Sequence, residues 1–280
     1  VTYTALKETL QIASKLNINL SNFGLMRYFY TNLFVINSSD YGVPQNRKRL
    51  IIIGCKNINT IFFPKKSNYE ELRQIIEKLE LEPPNYDVVP IVKNKVSIYD
   101  ALDDIAYLKV KENPIKYRKK AASIYQKFMR KNSEKLFNHI TTKHRKNSLK
   151  MFSMLKPGQR IEDLPKELRV NRRSLQRMEQ NKQSRTLTCC NEDFIHYSLD
   201  RIITIREMAR LQSFPDKYIF QGTRTTGGKR RKFSCCQVQQ VGNSVPPLLA
   251  QAIGEGVLKM LEYKSNSELT DFINNLNKKA

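Results

Sequence analysis

Residues 43–54 read VPQNRKRLIIIG, a polar segment that runs directly into an apolar one. Side chains of an extended chain alternate between faces, so Gln45, Arg47 and Arg49 are predicted to share one face. The apolar run from Leu50 to Ile53 is typical of a strand that enters a buried sheet. A face with one amide and two guanidiniums needs acceptors, because unpaired buried cations are costly. The pattern therefore predicts contact with a carboxylate, a phosphate or a nucleobase edge.

The net charge of the chain favours a polyanionic partner. Its 280 residues include 49 Lys and Arg against 26 Asp and Glu, which gives +23. Such an excess is typical of nucleic-acid-binding proteins. Charge alone leaves open a second explanation, the lysine enrichment of an A/T-rich genome. The length and the hydrophobic fraction of 40% suit one large domain or two modest ones.

The cysteines and the absence of targeting signals predict a cytoplasmic protein with reduced thiols. The sequence has no apolar run of membrane-spanning length and no opening signal peptide, so no membrane contact is expected. Its five cysteines are Cys55 and two adjacent pairs, Cys189–Cys190 and Cys235–Cys236. Adjacent cysteines lack the spacer that lets both sulfurs face one zinc ion, so no metal site is predicted.

Periodicity predicts an α/β part followed by a more irregular basic part. Residues 4–16 have helical spacing of apolar residues, and 28–36 and 49–55 are rich in strand-forming residues. Further along, helical patterns cover 68–81 and 117–137. Cations cluster in this central region, which favours a nucleic-acid-facing module, although charge runs are more often solvated surface.

Two segments in the last third predict helix starts. Thr204 and Glu207 have the spacing of a capping box, so a helix should begin near Thr204. Gly242-Asn243-Ser244 is predicted to be a turn before a helix that accepts Pro246 and Pro247 only in its first turn. Such a turn can seat a carboxylate or another acceptor-bearing small molecule, although an ordinary helix cap is its commoner use.

Three segments resemble conserved motifs of the DNA (cytosine-5) methyltransferases, in that family's order. DYGVPQNRKR (40–49) resembles the eighth motif, RIITIREMARLQSFPD (201–216) the ninth, and QVGNSVPPLLA (240–250) the tenth. The intervening NHITTKH, KPGQRIEDLPKELR and RTLTCC are also similar to family members. The resemblance covers nearly the whole chain.

The resemblance implies roles for the residues of the opening segment. In the family, the glutamine and two arginines of this strand line the pocket around a cytosine flipped out of DNA. Those roles fall here to Gln45, Arg47 and Arg49, with Arg49 holding the base near its O2. An extruded base must be held by donors to its polar edge, which agrees with these residue types.

Further roles follow for the cofactor and for DNA. Asn243 and Ser244 match the part of the tenth motif that lies beside the methyl donor, S-adenosylmethionine. Thr186 matches a threonine that contacts the DNA backbone at the target. Arg145, in the cation cluster at 143–150, is expected to touch phosphates. The ninth motif is structural in the family, so Glu207 is expected in an internal salt bridge and not in catalysis.

Three family elements are not found in the sequence. It contains no Phe-x-Gly-x-Gly cofactor loop, no Pro-Cys pair for the nucleophile and no Glu-Asn-Val segment. In the family's order all three belong upstream of Val1, so the chain is expected to be a C-terminal part that is inactive alone. Fragment, processed product and alternative start codon all stay open. None of the five cysteines is predicted to be the nucleophile, and Cys55 is expected to serve packing.

The resulting fold prediction is α/β: the end of a Rossmann-like methyltransferase sheet plus a smaller mixed target-recognition domain. Residues 1–65 should belong to the catalytic domain, 66–238 to the recognition domain, and 239–280 to a helical segment that returns to the catalytic domain. The predicted function is methyl transfer to C5 of cytosine in double-stranded DNA, in a restriction-modification system. The alternatives are a separate recognition subunit that assembles with an N-terminal half, and a basic DNA-binding module without enzymatic activity.

Overall fold

The segment 43–54 leads into the second strand of an antiparallel hairpin. Strand β1 (Tyr30–Asn37) pairs with β2 (Lys48–Cys55) in a register that sets Tyr30 opposite Cys55 and Asn37 opposite Lys48. Both predicted strands are therefore confirmed, with ends shifted by a residue or two. In the described part of the chain β2 pairs with β1 alone, and Leu50 is 42% exposed. The start of β2 is thus less buried than its apolar run predicts.

The computed structural model describes residues 30–55, 95–170, 174–225 and 234–262. The helices predicted over 4–16 and 68–81 lie outside the described residues. The chain divides into two units, one of residues 1–37, 48–66 and 250–280, the other of residues 38–47 and 67–249. The assignment of a recognition domain to either unit stays a prediction.

The first half of the second unit contains two short capped helices. Helix α1 (Ile98–Leu102) begins with a capping box of Ser97 and Asp100, and α2 (Ile124–Arg130) with one of Ser123 and Gln126. The helix predicted over 117–137 is therefore wrong in its length. A start signal lies inside the predicted range at Ser123, and Asn132 adopts a left-handed backbone (φ 59°) just beyond the end.

The described part of the second unit also contains four two-residue strands, which form two separate pairs. Strands β3 (Ile115–Lys116) and β4 (Lys135–Leu136) pair antiparallel, and β5 (Gln176–Arg177) pairs parallel with β6 (Phe194–Ile195). Helix α3 (Lys146–Met154) lies between β4 and β5 in the sequence. The described 3-10 helices are Ser38–Asp40, Asp103–Ile105, Ile161–Asp163, Lys166–Leu168 and Asn191–Asp193.

The helix predicted to begin near Thr204 is confirmed. Thr204 accepts from the Glu207 N–H, and the Glu207 carboxylate accepts from the Thr204 N–H, so α4 (Ile205–Leu211) starts with a complete capping box. Ser213 then adopts a left-handed backbone (φ 63°), which ends the helix before Pro215. All side chains of α4 are buried. This helix is therefore central to the second unit.

The Gly242-Asn243-Ser244 turn differs from its prediction. Gly242 and Asn243 are the last residues of helix α5 (Gln237–Asn243), and Ser244 is its C-cap. The next helix, α6 (Pro247–Glu262), has Pro247 in its first turn as predicted, whereas Pro246 precedes it. The turn thus follows one helix as well as preceding another, because Cys236 and Gln239 form a capping box that starts α5.

Two apolar clusters form the core of the second unit. The larger joins α1, α2, α4 and α5 through Ile98, Leu102, Tyr125, Met129, Met208, Leu211, Val238 and Val241. The smaller surrounds α3 and includes Met151, Phe152, Leu155, Leu175 and Ile202. Burial of each such side chain stabilises the fold by about 1.5–3 kcal/mol. The helices in the described ranges are too short or too polar to cross a membrane.

Candidate functional site

Gln45 is fully buried and hydrogen-bonds to two distant segments. Its Nε2 donates to the side chain of Gln212 and to the Leu211 carbonyl (3.3 Å), while its Oε1 accepts from the Leu187 N–H (2.9 Å). Gln45 thus links the eighth-motif segment to the ninth and to the Thr186–Leu187 pair. Its amide oxygen and nitrogen both have protein partners.

Arg47 is also held by the protein itself. Its side chain is 7% exposed and donates to the carbonyls of Leu187 and Gly242, each at 3.1 Å. The Gly242 carbonyl lies in the last turn of α5, where a cation is favoured by the helix dipole. Arg47 therefore ties the tenth-motif segment to the eighth.

Gln212 and Ser244 complete this arrangement. Gln212 Nε2 donates to the Ser244 carbonyl (2.8 Å) and hydroxyl (3.3 Å), and the Ser244 hydroxyl donates to the Val241 carbonyl (2.7 Å). At Gly242 a Cβ would lie 2.6 Å from the Thr188 carbonyl oxygen, so only glycine allows this approach of two backbones. We call the side chains of Gln45, Arg47, Gln212 and Ser244 the central network.

The central network brings together all three motif segments, which are far apart in the sequence. Buried polar groups with satisfied partners fix one arrangement of the chain, because any alternative leaves donors unpaired. Loss of one partner costs about 1–3 kcal/mol for the group left behind. The sequence patterns single out Gln45, Arg47 and Ser244. They do not predict that Gln212 hydrogen-bonds to both Gln45 and Ser244, or that Arg47 binds the Gly242 carbonyl.

Arg49 differs from Gln45 and Arg47. Burial alternates from Gln45 to Lys48, as predicted for an extended segment, but Arg49 is exposed. Its Nη1 donates to the neighbouring Lys48 carbonyl at 2.7 Å, and no carboxylate of a described residue lies within ion-pair distance. The shared face predicted for the three residues therefore does not extend to Arg49. Lys48, Arg49 and Leu50 are all exposed, so the alternation of burial ends where β2 begins.

The predicted DNA-contacting residues occupy different surroundings. Thr186 is half-buried, and its hydroxyl donates to the Asn46 carbonyl at 2.9 Å, beside the central network. Arg145 is the N-cap residue of α3, and its side chain is exposed along with those of Lys143, Lys146 and Lys150. The structure thus joins Thr186, but not Arg145, to the motif residues.

The predicted cofactor residues differ in what they can offer a ligand. Asn243 is exposed, and its Oδ1 accepts from the Cys189 thiol at 2.9 Å, whereas its amide nitrogen donates to no described residue. The Ser244 hydroxyl is engaged by Gln212 and Val241. Within the described ranges, no group of three His, Cys, Asp or Glu side chains could hold a metal ion.

A buried ionic network surrounds α4, and most of it escapes a sequence-based prediction. Arg210 pairs with Asp104 (2.5 Å) and Asp216 (2.6 Å), and all three are fully buried. Arg201 binds Glu207 through two hydrogen bonds of 2.8 and 2.6 Å, which confirms the internal salt bridge expected of Glu207. Arg210 lies at an inward-facing position of α4, and a charged residue at such a position is the sequence signal that could have predicted its buried ion pairs.

Electrostatics keep this network charged and the neighbouring histidines neutral. Burial alone raises the pKa of Glu207, but the Arg201 guanidinium overrides it and holds that pKa well below its usual range. Burial lowers the pKa of His139 to about 4 and the pKa of His196 to about 3. His139 Nδ1 lies 2.8 Å from the Thr204 hydroxyl, which suits a neutral ring.

Comparison with known proteins identifies the family. Residues 6–259 match the model of the C-5 cytosine-specific DNA methylases. The chain is 34% identical over 245 residues to the Type II methyltransferase M.DdeI of Desulfomicrobium norvegicum, covering 80% of this chain and 53% of that protein. It is 33% identical over 229 residues to M1.HphI of Haemophilus parahaemolyticus, covering 81% and 47%. The chain thus spans about half the length of these curated relatives.

A shorter relative and a solved structure extend this comparison. The Type II methyltransferase M.AquIB of Picosynechococcus sp. is 38% identical over 126 residues, which are 44% of this chain and 88% of that protein. A prophage-encoded E. coli protein described as a DNA modification methyltransferase shares the fold, with a TM-score of 0.60 and 21% identity over 90% of this chain and 66% of that one. By its match over residues 6–259, the chain belongs to the C-5 cytosine-specific DNA methylase family.

Proposed function

We propose that this chain carries the C-terminal part of a DNA (cytosine-5-)-methyltransferase of a restriction-modification system. The reaction transfers a methyl group from S-adenosylmethionine to C5 of a cytosine flipped out of double-stranded DNA. The observation that carries the proposal is the central network, in which the eighth-, ninth- and tenth-motif segments meet. The relatives named as Type II methyltransferases support DNA as the substrate.

Arg49 is the proposed contact to the reacting base. Addition of a nucleophile pushes electron density onto the cytosine ring, and a nearby guanidinium stabilises that charge. Its exposure leaves the Arg49 guanidinium available to a ligand, which supports this role. Gln45 and Arg47 are proposed as positioning residues, because their polar groups are engaged by the protein. They hold the segment 45–47 against the Thr186–Leu187 pair.

Only part of the cofactor site is proposed to lie in this chain. Asn243 fits a contact with S-adenosylmethionine because its amide is exposed, whereas Ser244 keeps the turn in shape through Gln212 and Val241. When bound, S-adenosylmethionine supplies an electrophilic methyl group on a sulfonium. The thiolate nucleophile is assigned to a Pro-Cys segment outside this sequence, since the sequence contains no such pair.

The recognition domain is proposed to lie within residues 66–238, where it contacts DNA through exposed cations. Arg145 and Lys146 at the start of α3 can neutralise backbone phosphates, and phosphate contacts position a protein on DNA without reading its sequence. Thr186, beside the central network, is proposed to contact the backbone near the flipped base. The net charge of +23 supports strong, salt-dependent binding.

One observation favours a second candidate, a separate subunit that assembles with an N-terminal partner chain. M.AquIB is named as a methyltransferase although 126 matched residues make up 88% of it. A chain of this short length thus carries the name of a Type II methyltransferase, which supports the present chain as the recognition subunit of a split enzyme. The chemistry assigned to Arg49 is the same in both candidates.

Expression in a methylation-free host tests the proposal. The 280-residue chain is expressed alone and then together with the coding sequence found upstream of it, and bisulfite sequencing of host DNA reads cytosine methylation. We expect no methylation from the chain alone and methylation at one sequence context from the combination. If the chain alone methylates DNA, the proposal that its nucleophile lies outside this sequence is refuted. If the two proteins are folded and expressed together but no methylation is found, the methyltransferase assignment is refuted.

A further inference from the structure

A basic pocket lies beside the β3–β4 pair, outside every motif discussed above. It has a volume of about 450 Å³, and its lining includes Glu112, Ile115, Lys116, Tyr117, Arg118 and Lys135. The lining side chains carry three cations and one carboxylate. We call this cavity the β3–β4 pocket.

Two of the cations face each other across the strand pair. The antiparallel register sets Lys116 directly opposite Lys135, so their side chains project from the same face. Like charges in this relation destabilise a strand pair unless an anion lies between them. Both lysines are exposed, and no carboxylate of a described residue lies within ion-pair distance of either ammonium. The free protein thus holds two cations where an anion would relieve their repulsion.

The wall that carries these cations is held in place. The Tyr117 hydroxyl donates to the buried Asp216 at 2.7 Å, and the Arg130 guanidinium lies 3.7 Å from the centroid of the Tyr117 ring. Ile115 is buried, and the Arg118 guanidinium lies 5.0 Å from the ring centroid of Tyr107. A wall fixed on both faces holds the backbone of β3 and the Arg118 guanidinium before a ligand arrives, so binding has to order only the two lysine side chains.

We infer that the β3–β4 pocket binds a phosphate group through Lys116, Lys135 and Arg118. A phosphate offers several acceptor oxygens and negative charge, which suits two ammonium groups and one guanidinium better than a single carboxylate does. If the proposed function holds, the phosphate belongs to the DNA backbone, and the pocket adds a contact beyond the cation cluster at α3. The same chemistry would accept a free phosphate, so the experiment separates these two sources.

A salt titration of DNA binding forms the first arm. The 280-residue chain is compared with Lys116→Gln/Lys135→Gln and with the control Lys95→Gln/Lys182→Gln. The control removes the same charge from lysines that are paired with Asp40 and Glu179. With a short duplex as the probe, the pocket variant should reduce the magnitude of the slope of log affinity against log salt by about 1, the change expected when the single phosphate in the pocket is no longer neutralised. The control should leave the slope nearly unchanged, and an equal decrease in both variants refutes a DNA phosphate.

Lysine acetylation footprinting forms the second arm. The reactivity of Lys116 and Lys135 is read by mass spectrometry with no addition, with the duplex and with inorganic phosphate. Protection by the duplex identifies a DNA phosphate, and protection by inorganic phosphate alone identifies a free one. If neither protects, the pocket proposal is refuted. A wild-type chain that fails to bind DNA refutes the proposed function, while protection by inorganic phosphate still decides the pocket.

A single reversal of charge separates a binding role from a structural one. Lys135→Glu places a carboxylate opposite Lys116, so the free protein should unfold at the same or a higher temperature. Its affinity for the duplex should fall at least as far as that of the double glutamine variant. A variant that loses thermal stability instead shows that Lys135 supports the fold, and this result refutes the inference.

Discussion

The cations around α4 and those on the surface of the second unit differ in burial and in their pairing with carboxylates. Arg201 and Arg210 are fully buried and bind carboxylates of the protein. Arg145, Lys116 and Lys135 are exposed, and the described residues give them no carboxylate partner. The same chemical class therefore builds the fold in one region and is available to a polyanion in the other. Pairing and burial, more than charge, distinguish the two groups.

The largest effect is expected where a buried pair is broken. Replacing Arg210 with methionine removes the buried cation that Asp104 and Asp216 share, and leaves them with Arg130 at 3.3 Å and Arg206 at 3.8 Å. The free energy of unfolding should fall by about 3 kcal/mol, the lower end of the usual cost of breaking a buried ion pair, because these two cations still offset part of the charge. Urea denaturation of the 280-residue chain measures this loss. Arg145→Met serves as the matched control and should unfold like the wild type, because its side chain is exposed.

Acidification should weaken the same region without any substitution. His139 and His196 have lowered pKa values of about 4 and about 3, because burial disfavours their charged form. Below pH 6.5 the unfolded chain takes up protons that these folded histidines do not, so stability falls as the pH drops toward their folded pKa values. Between pH 7 and 5 each should cost about 2 kcal/mol of stability.

Thermal unfolding across this pH range provides the measurement. The carboxylate of Glu207 is close to both rings, and it stays charged between pH 7 and 5 because Arg201 holds its pKa well below the usual range. A variant with His196→Gln should lose part of the pH dependence. If wild type and variant show the same decrease in melting temperature, other groups cause it.

The third effect concerns Arg49, an exposed cation proposed to act on a reacting base. In the active enzyme, Arg49→Ala should slow methyl transfer roughly a hundredfold, the scale of losing one charge-stabilising donor. The affinity for DNA should change much less, because the contact strengthens only as charge develops. Single-turnover methylation at saturating DNA and S-adenosylmethionine measures this. A wild-type rate would show that Arg49 does not contact the base.

Arg47→Ala is the informative companion to that variant. Arg47 donates to Leu187 and Gly242 from a buried position, so its loss should reduce stability as well as activity. If both variants remain as stable as the wild type, Arg47 contacts the ligand as Arg49 is proposed to do and is not a positioning residue. The pair therefore tests whether the comparison of buried with exposed cations also holds within one motif.

Local signals made part of this structure predictable. The strand at 49–55 and the helix at Thr204 follow from apolar runs and a capping box, which depend on neighbouring residues. The apolar run did not predict how exposed the start of β2 is, since exposure depends on which strands pair with it. Nor did helical periodicity over 117–137 set the length of α2, because local caps override it.

The arrangement of the central network was not predictable from the sequence. The sequence patterns singled out Gln45, Arg47 and Ser244, whose functional roles stay predictions, yet the partners of the Gln45 side chain lie 142 to 167 positions away. Alternation along an extended segment predicts which side chains share a face, but not what covers that face. A covered face ties its polar groups to the protein, whereas an exposed residue such as Arg49 stays available to a ligand. Tertiary packing alone makes that distinction.

The smallest effect is expected at Arg145, a single exposed cation on the unpaired side of the comparison. Arg145 lies at the N-cap of α3 among exposed lysines, so its removal breaks no side-chain hydrogen bond or ion pair with a described residue. Arg145→Ala should reduce the slope of log affinity against log salt by about 1, the change expected for one phosphate contact. Stability and turnover at saturating DNA should stay at wild-type values, since phosphate contacts position DNA but do not act on the base. Fluorescence anisotropy across a salt series measures the slope, and Lys182→Ala, which removes a paired cation, is the control. An unchanged slope would place the DNA elsewhere, whereas a loss of turnover at saturating DNA would mean that this exposed cation does more than bind a phosphate.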